Sequence, residues 1–146
     1  MPKRVRYKRS GIRIKGACGH PEVRAAVIRF AKWLRQEYEF PMRVPVYLFP
    51  SVKIVTMHGD RVWASFFAPY NRQEEPYIRI ATGDYVQLKK ARGRDDALAA
   101  FLRSFAHELV HYQQWLAGGE KAVIEPGVAR RARAIVDRYA SSTDHP

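Results

Sequence analysis

The amino-acid sequence predicts an α+β fold in which an N-terminal helix, a twisted mixed sheet of three to four strands, a long helix and a C-terminal helix follow one another. Apolar residues recur at helical spacing in three segments, and short β-rich runs separated by turn residues lie between the first two. That order is typical of helices packed on a small sheet. The chain has 146 residues, 47% of them apolar, which is enough for one core and too few for two. We therefore expect a single domain over 19–146, preceded by a basic arm over 1–18.

The first helix is expected over 21–38. Pro21 suits a first helical turn, and the apolar residues that follow it recur on one helical face. These residues are Val23, Ala26, Val27, Phe30 and Leu34. Pro41 ends the segment, because proline cannot continue a helix.

Four strand segments follow, with turn residues between them. They span 43–49, 52–58, 61–68 and 77–82. Gly59 and Asp60 predict a tight hairpin turn between the second segment and the third. Pro45 has no backbone N–H, so the first segment is expected to be interrupted or to lie at a sheet edge.

Two further helices complete the prediction. Asp95 or Asp96 is expected to cap a long helix that runs to about Leu116 and is closed by glycines at 118 and 119. The last helix is expected to begin near Glu125, with its apolar residues on one face and most of its arginines elsewhere.

The chain is strongly basic, with a formal net charge of +12. Much of this charge precedes the first helix, at Lys3, Arg4, Arg6, Lys8, Arg9, Arg13 and Lys15. Such an arm is either a solvated tail or a contact for a polyanion such as nucleic acid. Cys18 is the only cysteine, so neither an internal disulfide nor a Cys-based zinc site is expected. No apolar run reaches the roughly 18 residues of a membrane helix, and the first residues lack a secretory core, which predicts a cytoplasmic protein without a membrane partner.

The stretch "SFAHELVHYQQ" places His107, Glu108 and His111 on the predicted long helix. Residues four apart lie on the same side of a helix, one turn apart, which is the placement that a metal ion needs from two imidazoles. The spacing H-E-x-x-H on a helix is the pattern of a catalytic zinc site. We therefore predict one zinc ion bound by the two histidines, and a chance match on an ordinary helix is the alternative.

The other residues of this helix indicate which way the histidines face. The apolar stripe formed by Leu98, Phe101, Leu102, Phe105, Leu109, Tyr112 and Leu116 lies on nearly the opposite side, so the histidines are not expected in the core. Their own flank carries the small residues Ala97, Ala100 and Ser104. A flank with so little charge in a basic chain predicts a covered surface, such as the floor of a cleft.

The H-E-L-V-H stretch resembles the zincin metallopeptidases, and the order of elements over about 21–140 is similar to that of small gluzincin-like members. The resemblance implies a third zinc ligand, a glutamate on the helix after the motif. Glu125 matches this position best and Glu120 is its rival. Pro126 disfavours helical geometry at the residue before it, so the direction of Glu125 does not follow from the sequence. The resemblance also implies that Glu108 is the general base and not a ligand.

The same resemblance implies that a protein or peptide substrate binds as an added strand along the segment Val62, Trp63, Ala64, Ser65, Phe66 and Phe67. Tyr70, His58 and Arg130 are unranked choices for the group that stabilises the oxyanion. A self-inhibiting tail that carries Asp144 and His145 is a further hypothesis.

Two functions remain open at this point. The first is a zinc-dependent endopeptidase, in which a water activated by the metal is deprotonated by Glu108 and attacks a peptide bond. The alternative is a basic nucleic-acid-binding module whose zincin core is inactive or regulatory. The sequence predicts neither the particular substrate nor the oligomeric state.

Overall fold

A computed structural model of the chain describes residues 9–16 and 19–142. In chain order its elements are β1 (Ile12–Lys15), α1 (Pro21–Glu37), β2 (Val44–Phe49), β3 (Ile54–Val55), β4 (Arg61–Val62), β5 (Ala64–Phe67), β6 (Tyr77–Ala81), α2 (Tyr85–Arg92), α3 (Arg94–Gly118) and α4 (Val128–Ser142). A short 3-10 turn at Glu120–Ala122 connects the last two helices. The α+β class is confirmed. Within the described ranges, no helix combines the length and apolar character that a membrane span requires.

Four of the strands form one mixed sheet in the order β1, β2, β6, β5. β2 pairs in parallel with both β1 and β6, whereas β5 runs antiparallel to β6, with Phe66 opposite Ile78. The predicted mixed sheet of up to four strands is therefore confirmed. β3 and β4 pair only with each other, in a small antiparallel hairpin. Its turn is the predicted one, since the amide of Thr56 donates to the carbonyl of Asp60 and Gly59 has a φ of 84°.

The boundary expected for the basic arm was wrong, because residues 12–15 are strand β1. Ile12 is buried in the core and lies opposite Val44 of β2. The basic residues Arg13 and Lys15 alternate with the two isoleucines and are exposed. A strand of four residues with this alternation can pair at a sheet edge while it carries two charges. Residues 1–8 and Cys18 lie outside the described part of the chain.

The position predicted for Pro45 was also wrong, because β2 is an uninterrupted strand between β1 and β6. The amide of Val44 donates to the carbonyl of Gly11, on the β1 side. The amide position of the next residue, Pro45, therefore faces the other neighbour. The β6 ladder begins only at the pair Val46 and Ile78, so no strand hydrogen bond is lost at the proline.

The two middle strand segments are shorter than expected. Of 52–58 only Ile54–Val55 is a strand, and 61–68 is divided at Trp63 into β4 and β5. These two pieces belong to different sheets, and the carbonyl of Trp63 accepts a hydrogen bond from Ala81 at the division. At Trp63, beside α3, the chain therefore stops pairing with β3 and begins to pair with β6.

The helices follow the prediction with three differences. α1 begins at Pro21 as expected, and the ring of His20 caps it by accepting from the amide of Glu22 at 3.2 Å. Helix α2 was not predicted. α3 begins directly after Gly93, without a side-chain cap from the aspartates in its first turn. α4 begins only at Val128, because Pro126 and Gly127, with a φ of 81°, form a turn before it.

Helix α3 is the centre of the molecule and packs against the sheet, α1 and α4. The predicted stripe is buried except for Leu116, which is half-buried. Phe105 meets Phe30 of α1 edge to face, and Trp115 donates its indole N–H to the carbonyl of Pro69 at 2.9 Å. Because this face is fixed in the core, the opposite flank of α3 is turned towards β4, β5 and α4.

Candidate metal centre

His107 and His111 occupy the same side of α3, one turn apart, with their ring centroids 5.1 Å from each other. His107 is partly exposed. His111 was expected away from the core and is not part of the hydrophobic cluster, but it is only 4% exposed. Glu125, from the segment that leads into α4, contacts its ring, which agrees with the covered surface that the small residues of this flank predicted.

Glu125 approaches both rings from that segment. Its Oε2 lies 3.2 Å from Nε2 of His107, and its Oε1 lies 2.9 Å from Nε2 of His111. The ligand atoms of the three residues all lie within 4.8 Å of one another. Four-coordinate zinc with N and O ligands at about 2.0–2.2 Å places ligand atoms about 3.4 Å apart. The donor types and their spacing therefore fit a zinc ion.

The resemblance placed Glu125 at the head of the last helix, and this detail was wrong. It lies three residues before α4 and outside any helix or strand, because Pro126, which follows it directly, disfavours helical geometry there. Its carbonyl accepts a hydrogen bond from the amide of Val128 at 3.1 Å, which ties the turn to the helix. The rival Glu120 is exposed on the 3-10 turn and is not a member of the metal-competent group found among the described residues.

The Gln114 side chain connects His111 to the Glu125 segment. Its Nε2 donates to the carbonyl of Ile124 at 3.0 Å, and its Oε1 accepts from the amide of Ile124 at 3.1 Å. This pairing fixes which end of the carboxamide is the oxygen. In the 2.9 Å contact between Gln114 Oε1 and His111 Nδ1, the ring nitrogen must therefore be the donor.

This tautomer determines what His111 presents to Glu125. A neutral imidazole with its hydrogen on Nδ1 has its lone pair on Nε2, the atom that faces the carboxylate oxygen. Two acceptor atoms 2.9 Å apart require a cation between them, either a proton or a metal ion. The orientation of both side chains is thus the one that metal ligands adopt.

Glu108 lies between the histidines in sequence but is not part of the ligand group. It is only 7% exposed, and its Oε2 has no hydrogen-bond partner among the residues that the structure describes. Burial, together with repulsion by the carboxylate of Glu125, raises the pKa of Glu108 to about 8. An ionisable side chain of this kind beside a cleft is typical of catalytic acids and bases.

A cleft of about 420 Å³ opens beside His107 and Glu108. Its walls come from the β4–β5 segment, α3 and α4, and the small residues Ala100 and Ser104 form part of its lining, as the uncharged flank predicted. The arginines that line it, Arg61, Arg103 and Arg133, were not singled out from the sequence.

The residues predicted to hold a substrate strand divide into two groups. Val62, Trp63 and Ala64 line the cleft. Ser65 instead accepts a hydrogen bond from Arg79, and Phe66 packs against Tyr112 of the core. The three lining residues span the junction between β4 and β5 at Trp63, whereas Ser65 and Phe66 lie further along β5.

None of the three residues considered for stabilising the oxyanion lines this cleft. Tyr70 is 81% exposed, and both His58 and Arg130 are exposed. The tail residues Asp144 and His145 lie outside the described part of the chain.

Comparisons of the chain with models of known protein families, with curated proteins and with solved structures find no match. The function must therefore be inferred from the site itself.

Proposed function

We propose that the protein is a zinc-dependent peptidase of the zincin type, similar to the small gluzincins. One observation carries the proposal: His107, His111 and Glu125 converge from two segments beside a cleft that also contains the buried Glu108. The ligands come from parts of the chain that are brought together only by folding, and each has the donor atom that a catalytic zinc site uses.

The choice of zinc follows from the donor set. Two imidazole nitrogens and one carboxylate oxygen suit zinc better than magnesium or calcium, which prefer oxygen ligands alone. Three protein ligands are also the number found in catalytic zinc sites. A zinc ion held here would supply Lewis acidity, which polarises a peptide carbonyl and lowers the pKa of a water molecule to about 7.

Glu108 is the proposed general base. A zinc ion held beside Glu108 would add positive charge that lowers its pKa, so the carboxylate form would be present to act as the base. Its Oε2 is buried and makes no hydrogen bond to a described residue, so it can accept a proton without first breaking a contact within the protein. It adjoins His107 in the cleft lining, where the attacking water must be deprotonated. The same carboxyl group can then deliver that proton to the departing amine.

The strand β5 supports a peptide as the substrate. It forms the edge of the sheet next to β6, so one row of its backbone N–H and C=O groups is not used by the sheet ladder. An extended peptide can pair with such an edge, which gives binding by the main chain and leaves its side chains to neighbouring pockets. Ala64 is both the first residue of this edge and part of the cleft lining.

The proposal is tested by zinc analysis of the purified protein together with cleavage of a mixed peptide library. We expect one zinc per chain. Glu125→Ala should lose it, and Glu120→Ala, the matched control on the adjacent 3-10 turn, should retain it. Glu108→Gln should keep the zinc while cleavage falls by about a hundredfold or more, the usual contribution of a general base.

Zinc that is unaffected by Glu125→Ala would disprove the ligand assignment. A chain that binds zinc and cleaves no peptide in the library would disprove the activity. If such a chain bound nucleic acid with a steep dependence on salt, the alternative of a nucleic-acid-binding module with an inactive core would hold.

A further inference from the structure

Three arginines line the proposed catalytic cleft, and each comes from a different element. Arg61 belongs to β4, Arg103 to α3 and Arg133 to α4. The three residues therefore border the same space from three separate elements. All three residues are exposed, so their guanidinium groups are free to meet a bound molecule.

None of the three arginines makes a hydrogen bond or an ion pair with a described residue. Other arginines of the chain do pair with carboxylates. Arg43 binds Glu75 at 2.7 Å, and Arg138 binds Glu37 at 3.2 Å. Exposed cations without an ion pair to a described residue also occur elsewhere, for example Arg9 and Arg13, but the three arginines of the cleft border one concave space.

The cleft contains little negative charge to balance them. Among the described residues that line it, Glu108 is the one acidic residue, and its side chain is almost completely buried. Like charges around a concave surface repel one another, which costs stability, and they focus a positive potential into the space between them. An arrangement that costs stability at a proposed active site is typical of a binding function.

We propose that Arg61, Arg103 and Arg133 bind carboxylate groups of the substrate, so that the cleft selects acidic peptide segments. This inference rests on the proposed function and names its substrate class. The planar guanidinium group matches a carboxylate with two parallel hydrogen bonds. A peptide paired with the edge of β5 would carry its side chains past Arg61, which lies just before that edge.

Other features of the lining favour a peptide over a nucleic acid. Apolar side chains share the cleft with the arginines, namely Val62, Ala64, Ala129 and Ala132. Single-stranded nucleic acid is usually held by bases stacked on aromatic rings. The ring of Trp63 is the large aromatic group of the lining, and Lys53 Nζ already lies 4.0 Å from its centroid.

The test measures binding separately from cleavage. Two fluorescent ten-residue peptides are compared, one with five glutamates and one with glutamines in their place, by anisotropy with full-length, zinc-loaded Glu108→Gln protein. We expect the acidic peptide to bind roughly tenfold more tightly, from three charge pairs of modest strength. This preference should weaken as salt is raised.

The variants identify the arginines. Replacing Arg61, Arg103 and Arg133 together by glutamine should remove the preference and leave the thermal midpoint unchanged or higher. The matched control replaces Arg9, Arg13 and Lys15 by glutamine. These residues are exposed and lie in β1 or just before it, at the opposite edge of the sheet from β5. The control therefore removes the same number of positive charges, but outside the cleft. It should keep the preference.

Several outcomes would overturn the inference. Equal binding of the two peptides would do so, as would equal losses in the two triple variants. A third probe is a ten-nucleotide oligothymidylate. If this oligonucleotide binds more tightly than the acidic peptide, and its binding is lost only in the cleft variant, the arginines bind a nucleic acid and the inference is wrong.

Wild-type protein that binds zinc and cleaves peptides without an acidic preference would disprove this inference alone. Absence of zinc and of cleavage would instead disprove the proposed function.

Discussion

Gln114 fixes the ring of His111: the Nδ1–H of the histidine donates to Oε1 of the glutamine at 2.9 Å. The same carboxamide pairs with both backbone groups of Ile124, the residue before Glu125. One side chain thus orients a proposed ligand on α3 and holds the segment that supplies another. It is a positioning residue, because its carboxamide is occupied by hydrogen bonds to His111 and to the backbone of Ile124.

Replacing Gln114 by alanine should therefore weaken zinc binding. Residues that hydrogen-bond to metal ligands typically contribute about 10- to 100-fold to the affinity for the metal. Gln114 acts on two proposed ligands at once. We expect a loss in that range, measured by competition with a chelator, with the zinc stoichiometry still one at saturation. Cleavage at saturating zinc should fall less than the affinity does, because the ligands themselves remain.

Gln113→Ala is the matched control for this variant. Gln113 is the adjacent glutamine of the same helix, and its side chain accepts from Arg131 of α4 at 3.4 Å. Its zinc affinity should equal that of the wild type. Equal losses in the two variants would show a general effect on α3 and contradict the role given to Gln114.

The sequence could predict part of this site and not the rest. His107, Glu108 and His111 lie within one helical turn and a half, so helix geometry alone places them. Glu125 comes from a separate segment, and only the family resemblance named it. Gln114 follows His111 by three residues, a spacing that puts the two side chains on neighbouring positions of the helix. That spacing was the available signal, but many glutamines have it without contacting a histidine.

The fold was predictable where long apolar patterns repeat, as in α1 and α3. Strand β1 was missed because two of its four residues are basic, and this pattern also fits a solvated arm. Helix α2 was missed because Tyr85 is its one buried residue, so it has almost no apolar stripe. The division at Trp63 depends on which strands accept each half, and this is decided by tertiary pairing and not by local sequence.

Gly83 lies at a close approach between two backbone segments, after β6 and after β2. The amides of Thr82 and Gly83 donate to the carbonyls of Phe49 and Ser51 at 2.9 and 2.8 Å. A Cβ atom at Gly83 would lie 2.5 Å from the carbonyl oxygen of Pro50 and 2.6 Å from backbone atoms of the next two residues. Backbone atoms cannot move aside as a flexible side chain can.

Gly83→Ala should therefore destabilise the fold by about 3 kcal/mol, the upper end of the range for overpacking. The free energy of unfolding is measured by urea titration. Gly59→Ala is the comparison, because a Cβ there meets nothing within 4 Å and the cost is that of a left-handed conformation alone, about 1–2 kcal/mol. A smaller effect at Gly83 than at Gly59 would contradict the close approach.

Glu22 of α1 joins three elements through its carboxylate. The hydroxyl of Tyr85 on α2 donates to it at 2.7 Å, Lys89 of α2 lies 3.0 Å away, and Arg94 of α3 lies 3.2 Å away. These contacts, with the Tyr85 hydrogen bond as the largest cause, lower the pKa of Glu22 from 4.5 to about 2. Burial and the same carboxylate raise the pKa of Tyr85 to about 12.

This shift predicts how stability depends on pH. Because the folded pKa of Glu22 is lower than the unfolded one, the unfolded chain binds more protons between about pH 4.5 and 2. The contribution of Glu22 is therefore complete above pH 4.5 and is lost as the pH falls through that window. In Glu22→Gln the contribution is absent at every pH. The difference in unfolding free energy between this variant and the wild type should therefore be present at pH 6 and shrink as the pH falls towards 2.5.

Glu74→Gln, at an exposed carboxylate with no ion pair to a described residue, should show no such difference. A difference for Glu22→Gln that stays constant from pH 6 to 2.5 would mean that these contacts do not act on the charged form of the carboxylate.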